Sequence, residues 1–156
     1  MPGQLIPTMN PNGGNYISHS IHELRSVNCG AFPCVTRLLW VEDDTHNLQA
    51  LTIYLELMGV QVEQARNGYE ALQKLDQNTF HIVVSDIRMP GINGLDLTKR
   101  IHQKRPSVPV VLMTGDPTAP PLSALNQSDA VELLVKPFLP SDLMKTIRRA
   151  VGEREL

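Results

Sequence analysis

Four acidic residues sit at the ends of apolar runs. Glu42, Asp43 and Asp44 follow "LLWV", and Asp86 follows "HIVVS". Two unit charges about 4 Å apart repel by roughly 4 kcal/mol at an effective dielectric of about 20. Such a cluster is either a solvated turn or a seat for a cation. Hard carboxylate oxygens select Mg2+ or Mn2+ over zinc, and Mg2+ keeps several waters while taking one or two carboxylates. Two more run ends carry complementary groups. Thr114-Gly115 closes "VPVVLM" with a hydroxyl and an unobstructed backbone, and Lys136-Pro137 closes "AVELLV" with an ammonium on a long stem. The Pro/Gly loop "IRMPGING" after Asp86 can turn a backbone carbonyl toward the same ion. Gathered around Asp86, these groups would form a receptacle for a phosphoryl group. Its transfer needs chiefly positioning and neutralisation of the equatorial oxygens. A carboxylate can serve as the nucleophile and give an aspartyl-phosphate.

The elements must bring these run ends together. The 156 residues, 42% hydrophobic and 19% charged, fit one domain with a sizeable core. "RLLWV", "HIVVSD", "VPVVLMTGD" and "AVELLVKP" are short runs suited to strands buried on both faces, and "VQVEQA" alternates like a strand nearer an edge. Helical spacing appears between them. Leu48, Leu51, Leu55 and Met58 precede a stop at Gly59, and Ala71, Leu72 and Leu75 share a face. Leu95, Leu97 and Ile101 precede a stop at Pro106, "PPLSALNQ" at 120–127 reads as a fourth helix, and "SDLMKTIRRAV", capped by Ser141, reads as the fifth. Arg148 and Arg149 suit its last turn.

Five βα units in series predict an α/β fold, a doubly wound five-stranded parallel sheet in the order 2-1-3-4-5 with helices on both faces, flavodoxin-like. The topological switch then lies between strands 1 and 3, and ligands bind at the strands' carboxyl ends. The acidic ends become neighbours, and a cation is required.

Taken together, "VEDD", "SDIRMPGINGLDL", "VVLMTGD" and "LLVKPF" resemble the receiver domain of two-component response regulators, over about residues 36–152. The resemblance implies Asp86 as phosphoacceptor. It implies Asp43 and Asp86 on Mg2+, Glu42 mainly through water, and the Arg88 carbonyl as a further ligand. Thr114, with Gly115, would bind the phosphoryl group, and Lys136 would contact it or Asp86. Arg88 and Asp116 occupy positions that modulate hydrolysis of the aspartyl-phosphate. Asp44 lies just beyond the acidic pair and reads as a helix cap. Two residues depart from the pattern. Leu133 stands where an aromatic residue usually couples to the Thr, which questions the usual switching, and Trp40 stands where an aliphatic is commoner, read as packing. Pro120 and Pro121 should shorten or stiffen the start of the fourth helix.

The implied partners are a histidine kinase or histidine phosphotransfer protein, and a downstream protein met by the helix 4–strand 5–helix 5 face. With four residues after Gly152, the chain reads as a stand-alone receiver. A net charge of −2 provides no footprint for direct nucleic-acid binding. No run is long enough for a membrane span and no signal peptide is evident, so the expected location is cytoplasmic. Residues 1–35, rich in Pro, Gly, Asn and Ser, read as an irregular or mobile arm, with a short helix near "SIHELRSV" capped by Ser18 or Ser20; residues 153–156 are a tail. "HELRS" is similar to a kinase histidine motif but lacks its following Pro, and His19, His22, Cys29 and Cys34 match no common zinc spacing. Two alternatives stand beside the phosphoacceptor. One is a phosphorylation-independent interaction module, which Leu133 favours. The other is a Mg2+-dependent phosphatase, which Arg88 disfavours because haloacid dehalogenase-type enzymes carry an acid at that position.

Overall fold

Alternation along β1 (Thr36–Val41) sets the layers. Leu38 and Trp40 point into one apolar cluster, and Leu39 and Val41 into another. The two-residue period of a strand forces this division, so a helix layer must cover each face. The computed structural model describes residues 35–44, 46, 48–116, 118 and 131–152.

β1, β2 (Val60–Ala65), β3 (Ile82–Asp86), β4 (Val110–Thr114) and β5 (Val131–Val135) form one parallel sheet in the order β2-β1-β3-β4-β5, as expected. The central strands are buried almost throughout, whereas β2 and β5 at the edges alternate or are partly open. α1 (Leu48–Leu57) and α4 (Pro140–Ala150, the fifth helix of the sequence reading) supply Leu48, Leu55, Leu143, Met144 and Ile147 to the Trp40 face. α2 (Gly68–Gln77) and α3 (Gly94–Lys104) supply Ala71, Leu75, Leu97 and Ile101 to the other, with Leu72, Leu95 and Leu133 partly buried against it. Among the described residues no helix is long and apolar enough to cross a membrane.

Register turns the strand ends into one rim. Val41 pairs with Ser85 and Asp86 with Met113, so Glu42 leaves the sheet level with Asp86. Thr114 pairs with Val135, and Lys136 follows directly.

The helix ends differ in places from the sequence reading. α1 stops at Leu57, and Gly59 takes φ +87 with its N–H on the Glu56 carbonyl at 3.0 Å; Met58 falls outside the helix and is exposed. That left-handed conformation costs glycine little, which is why the stop falls there. Asp44 accepts from the His46 N–H at 3.1 Å, fixing the turn before α1 and not the helix's own first turn. Ser141 does not cap α4. The helix starts at Pro140, whose missing N–H suits a first turn, and Asp142 Oδ2 accepts the Leu139 N–H at 3.0 Å. α2 and α3 are capped by Asn67 and Asn93, whose side-chain oxygens accept from Glu70 and Asp96 N–H, each at 2.8 Å. The expected helix at 120–127 with Pro120 and Pro121, the arm with Ser18, His19, Ser20, His22, Cys29 and Cys34, and the tail all lie outside the described residues.

Gly94 ties the fold to the rim. Its N–H donates to the Ile87 carbonyl at 2.9 Å, and a Cβ there would press on the Asp86 carbonyl oxygen and lie 2.8 Å from Ile87 Cα. Backbone atoms cannot step aside as a flexible side chain does. Gly94→Ala should therefore lose about 1–3 kcal/mol by overpacking, more than alanine's helix preference returns. Gly115→Ala, whose Cβ meets nothing within 4 Å, is the control. Urea midpoints check this: equal values for Gly94→Ala and wild type would show that α3 can shift away from β3.

Candidate functional site

Glu42 leaves β1 while its N–H still extends the ladder to the Ala65 carbonyl at 3.1 Å. This keeps the carboxylate close to the sheet, and its side chain is 16% exposed. Asp86 is the last residue of β3, with a side chain 17% exposed. Its carbonyl accepts the Ser85 hydroxyl at 2.9 Å, and the next N–H, of Ile87, donates to the Met113 carbonyl at 3.0 Å. Both acids are held where solvent screens them poorly.

The counter-charge comes from β5. Lys136 donates its backbone N–H to the Thr114 carbonyl at 2.7 Å, and its stem then runs across the end of β4. Its ammonium lies 3.0 Å from Glu42 Oε1 and 3.2 Å from Asp86 Oδ2. Burial alone would lower the ammonium's pKa. The hydrogen bond and charge of Glu42, with the charge and hydrogen bond of Asp86, outweigh that and hold it above the ordinary lysine value.

A second group flanks the first. The Thr114 side chain is buried, and its hydroxyl donates to the Asp116 carbonyl at 3.1 Å while accepting the Asp116 N–H, also at 3.1 Å. Asp116 Oδ2 pairs with the Arg88 guanidinium at 3.6 Å, an exposed pair worth little by itself. Two bonds from Thr118, its hydroxyl before its N–H, hold the Asp116 carboxyl below the usual carboxylate value, with a smaller contribution from Arg88. The Arg88 N–H reaches Asp86 Oδ1 at a long 3.4 Å. Gly115 is exposed, with open space where a side chain would stand. Beside Thr114 a cavity of about 580 Å³, lined by Ile87, Arg88, Met89, Pro90, Asn93 and Leu95, opens toward solvent.

Glu42, Asp86 and Lys136 thus meet directly, Thr114, Asp116 and Arg88 form a linked neighbour group, and Asp43 is exposed and outside both. Among the described residues no three His, Cys, Asp or Glu side chains stand as a metal-ligating group. Glu42 and Asp86 each give one oxygen to the Lys136 ammonium, and the exposed Asp43 stands apart from them. Mg2+ does not require three acids, because one or two carboxylates and several waters suffice. The hard oxygens of the exposed Asp43 and of Asp86 Oδ1, which accepts one long bond from the Arg88 N–H, suit that ion in type and number.

One contact escaped the sequence reading. Trp40, expected only to pack, donates its indole Nε1–H to Glu42 Oε2 at 3.0 Å. The signal was available: an indole two positions before an acid at a strand end shares its face.

Residues 38–148 match the model of the response regulator receiver domain. The C4-dicarboxylate transport transcriptional regulatory protein DctD of Pseudomonas aeruginosa is 34% identical over 125 residues, covering 80% of this chain and 27% of that protein. The DNA-binding transcriptional regulator NtrC of Escherichia coli is 34% identical over 116 residues, 74% of this chain and 25% of that one. The chain spans about a quarter of the length of these curated relatives. Among solved structures, the chemotaxis protein CheY4 of Vibrio cholerae superposes with TM-score 0.68 at 29% identity, covering 74% of this chain and 98% of that one. The response regulator TrrA of Thermotoga maritima, solved in complex with Mg(2+)-BeF, gives TM-score 0.65 at 28% identity, covering 74% and 99%.

The raised Lys136 pKa sets a pH window. Its stabilisation is fully present below the unfolded lysine value and is lost as pH rises through the higher folded value. Lys136→Met should lower the urea midpoint by a constant amount near neutral pH, and the gap to wild type should close above the ordinary lysine range. A gap that stays constant through that range would show that packing of the stem, and not the ammonium, provides the stabilisation.

Proposed function

The chain belongs to the response regulator receiver domain family, and from that premise we propose that Asp86 accepts a phosphoryl group from a phosphohistidine on a histidine kinase or phosphotransfer protein. The observation that carries this reading is the Lys136 ammonium, held on Asp86 and Glu42 together at the switch point of the sheet. A carboxylate at the end of β3, partly exposed at the rim of the sheet, can meet a donor while a fixed positive charge stabilises it.

In the transfer, an Asp86 oxygen attacks phosphorus, the N–P bond of the phosphohistidine breaks, and its electron pair stays on the imidazole nitrogen. Asp43 and Asp86, the Arg88 carbonyl and Glu42 through water would hold Mg2+ (or Mn2+), which supplies neutralisation of the phosphoryl oxygens. Lys136 balances charge on the opposite side of Asp86. Thr114 exchanges its bond to the Asp116 carbonyl for one to a phosphoryl oxygen, and the exposed Gly115 backbone offers an unobstructed approach. Arg88 and Asp116 stand over the same opening and so influence the access of water to the acyl phosphate.

The readout would be a protein surface that includes β5 and α4 together with the region at 120–127. Support comes from position: β5 is an edge strand whose first residues follow that region, and Lys136 and Thr114 join its end to the site. Leu133 packs against the α2/α3 face without an aromatic ring, so coupling would run through the Thr114–Asp116 loop instead.

Intact-protein mass after incubation with acetyl phosphate tests the reading. One phosphoryl adduct should appear with Mg2+, vanish on chelation, and be absent from Asp86→Ala, whose urea midpoint should match or exceed wild type because a crowded charge has been removed. A variant that still accepts a phosphoryl group on an aspartate would show that the acceptor is elsewhere.

A further inference from the structure

Trp40 is the chain's single tryptophan, it is 2% exposed, and it sits on β1 two residues before Glu42. A buried indole N–H needs an acceptor, and here the acceptor is a carboxylate of the site itself, Glu42 Oε2 at 3.0 Å. The other oxygen, Oε1, accepts from Lys136 at 3.0 Å. Both oxygens of Glu42 are therefore committed to protein donors, and the carboxylate has one orientation in which both bonds are made. Lys136 in turn has a long flexible stem, and Glu42 and Asp86 fix where it ends. The bonds form a continuous series from Trp40 to Glu42 to Lys136 to Asp86. Leu48, Leu55, Leu143 and Met144 belong to the same packed cluster as the indole, so the first link rests on a rigid wall.

We propose that Trp40 is a positioning residue of the phosphoacceptor site: its indole N–H holds Glu42 toward Lys136, and so sets the ammonium on Asp86. The proposal rests on the phosphoacceptor reading and adds to it a residue that touches neither phosphoryl group nor metal. Without the indole donor, Oε2 faces an apolar wall unpaired. Glu42 then turns toward water, and Lys136 keeps Asp86 as its single anchor. Charge-assisted hydrogen bonds of this kind are directional, so losing one at the start of the series loosens those after it.

Two readouts test this. A single tryptophan gives one indole cross-peak in a proton–nitrogen correlation spectrum. That peak should be displaced and slow to exchange in the wild-type chain, and should shift markedly in Glu42→Ala with Trp40 intact. The second readout is the rate of Asp86 phosphorylation by acetyl phosphate, followed by intact mass. Trp40→Phe keeps an aromatic body and removes the donor, and should slow phosphorylation by about tenfold. In a Glu42→Ala background the same substitution should cost little more, because the residue it acts through is gone. If Trp40→Phe does not fold, the indole peak of Trp40 in Glu42→Ala decides alone. An indole peak unmoved by Glu42→Ala, a wild-type rate in Trp40→Phe, or equal losses in both backgrounds would each overturn the proposal. A wild-type chain that takes no phosphoryl group would defeat the phosphoacceptor reading, and the proposal with it. A wild type that is phosphorylated as fast as Trp40→Phe would defeat the proposal alone.

Discussion

Two sheltered carboxylates on adjacent parallel strands, leaving the sheet at the same level, repel one another unless a positive charge lies between them. The structure supplies that charge from the far side of β4. Lys136 is 94 residues from Glu42 and 50 from Asp86 in the chain, and its ammonium bonds to both. Neither pair is deep, so the benefit is modest compared with a dry interior. Its consequence is geometric. With the ammonium in place, β1, β3 and β5 must end together, and the register of the sheet is tied to the chemistry at its rim.

That requirement propagates backward through the fold. The strands reach a common rim because their registers align Val41 with Ser85, Asp86 with Met113, and Thr114 with Val135. A slip of one residue would turn every inward side chain to the other face, and both apolar clusters oppose it. The approach of α3 to β3 is set by the absence of a side chain at Gly94. Packing energy is thus spent on holding a crowded set of charges, and the site needs no strain of its own to exist.

The layers and the strand order were legible because apolar runs of strand length alternate with helical periods, and few right-handed topologies accommodate five such units. The acidic ends were legible for the same reason, once the switch point was placed between β1 and β3. The failures were local. Ser141 resembles a cap by type, but Pro140 starts the helix one residue earlier and Asp142 reaches back over it. Met58 has the right spacing for α1, but Gly59 ends the helix a residue sooner than the hydrophobic pattern suggests. Trp40 looked like core because most of it is core, and an indole's one polar atom is invisible to a hydrophobic pattern. The reading grouped Glu42, Asp43 and Asp86 on one ion, whereas Glu42 and Asp86 meet on the Lys136 ammonium and Asp43 stands apart, because sequence does not reveal which oxygens an ammonium will take.

Charge at the rim links these observations to the proposed chemistry. The carboxylates of Glu42, Asp43, Asp44 and Asp86 outnumber the one ammonium of Lys136, while Arg88 and Asp116 pair with each other. An acyl phosphate on Asp86 would add further negative charge where a single carboxylate stood. A nearby donor that can turn without leaving the core is the Thr114 hydroxyl, now bonded to the Asp116 carbonyl. Turning it would free that carbonyl. A switch built this way would draw its movement from the exchange of a single hydrogen bond, and it would need no aromatic ring at Leu133.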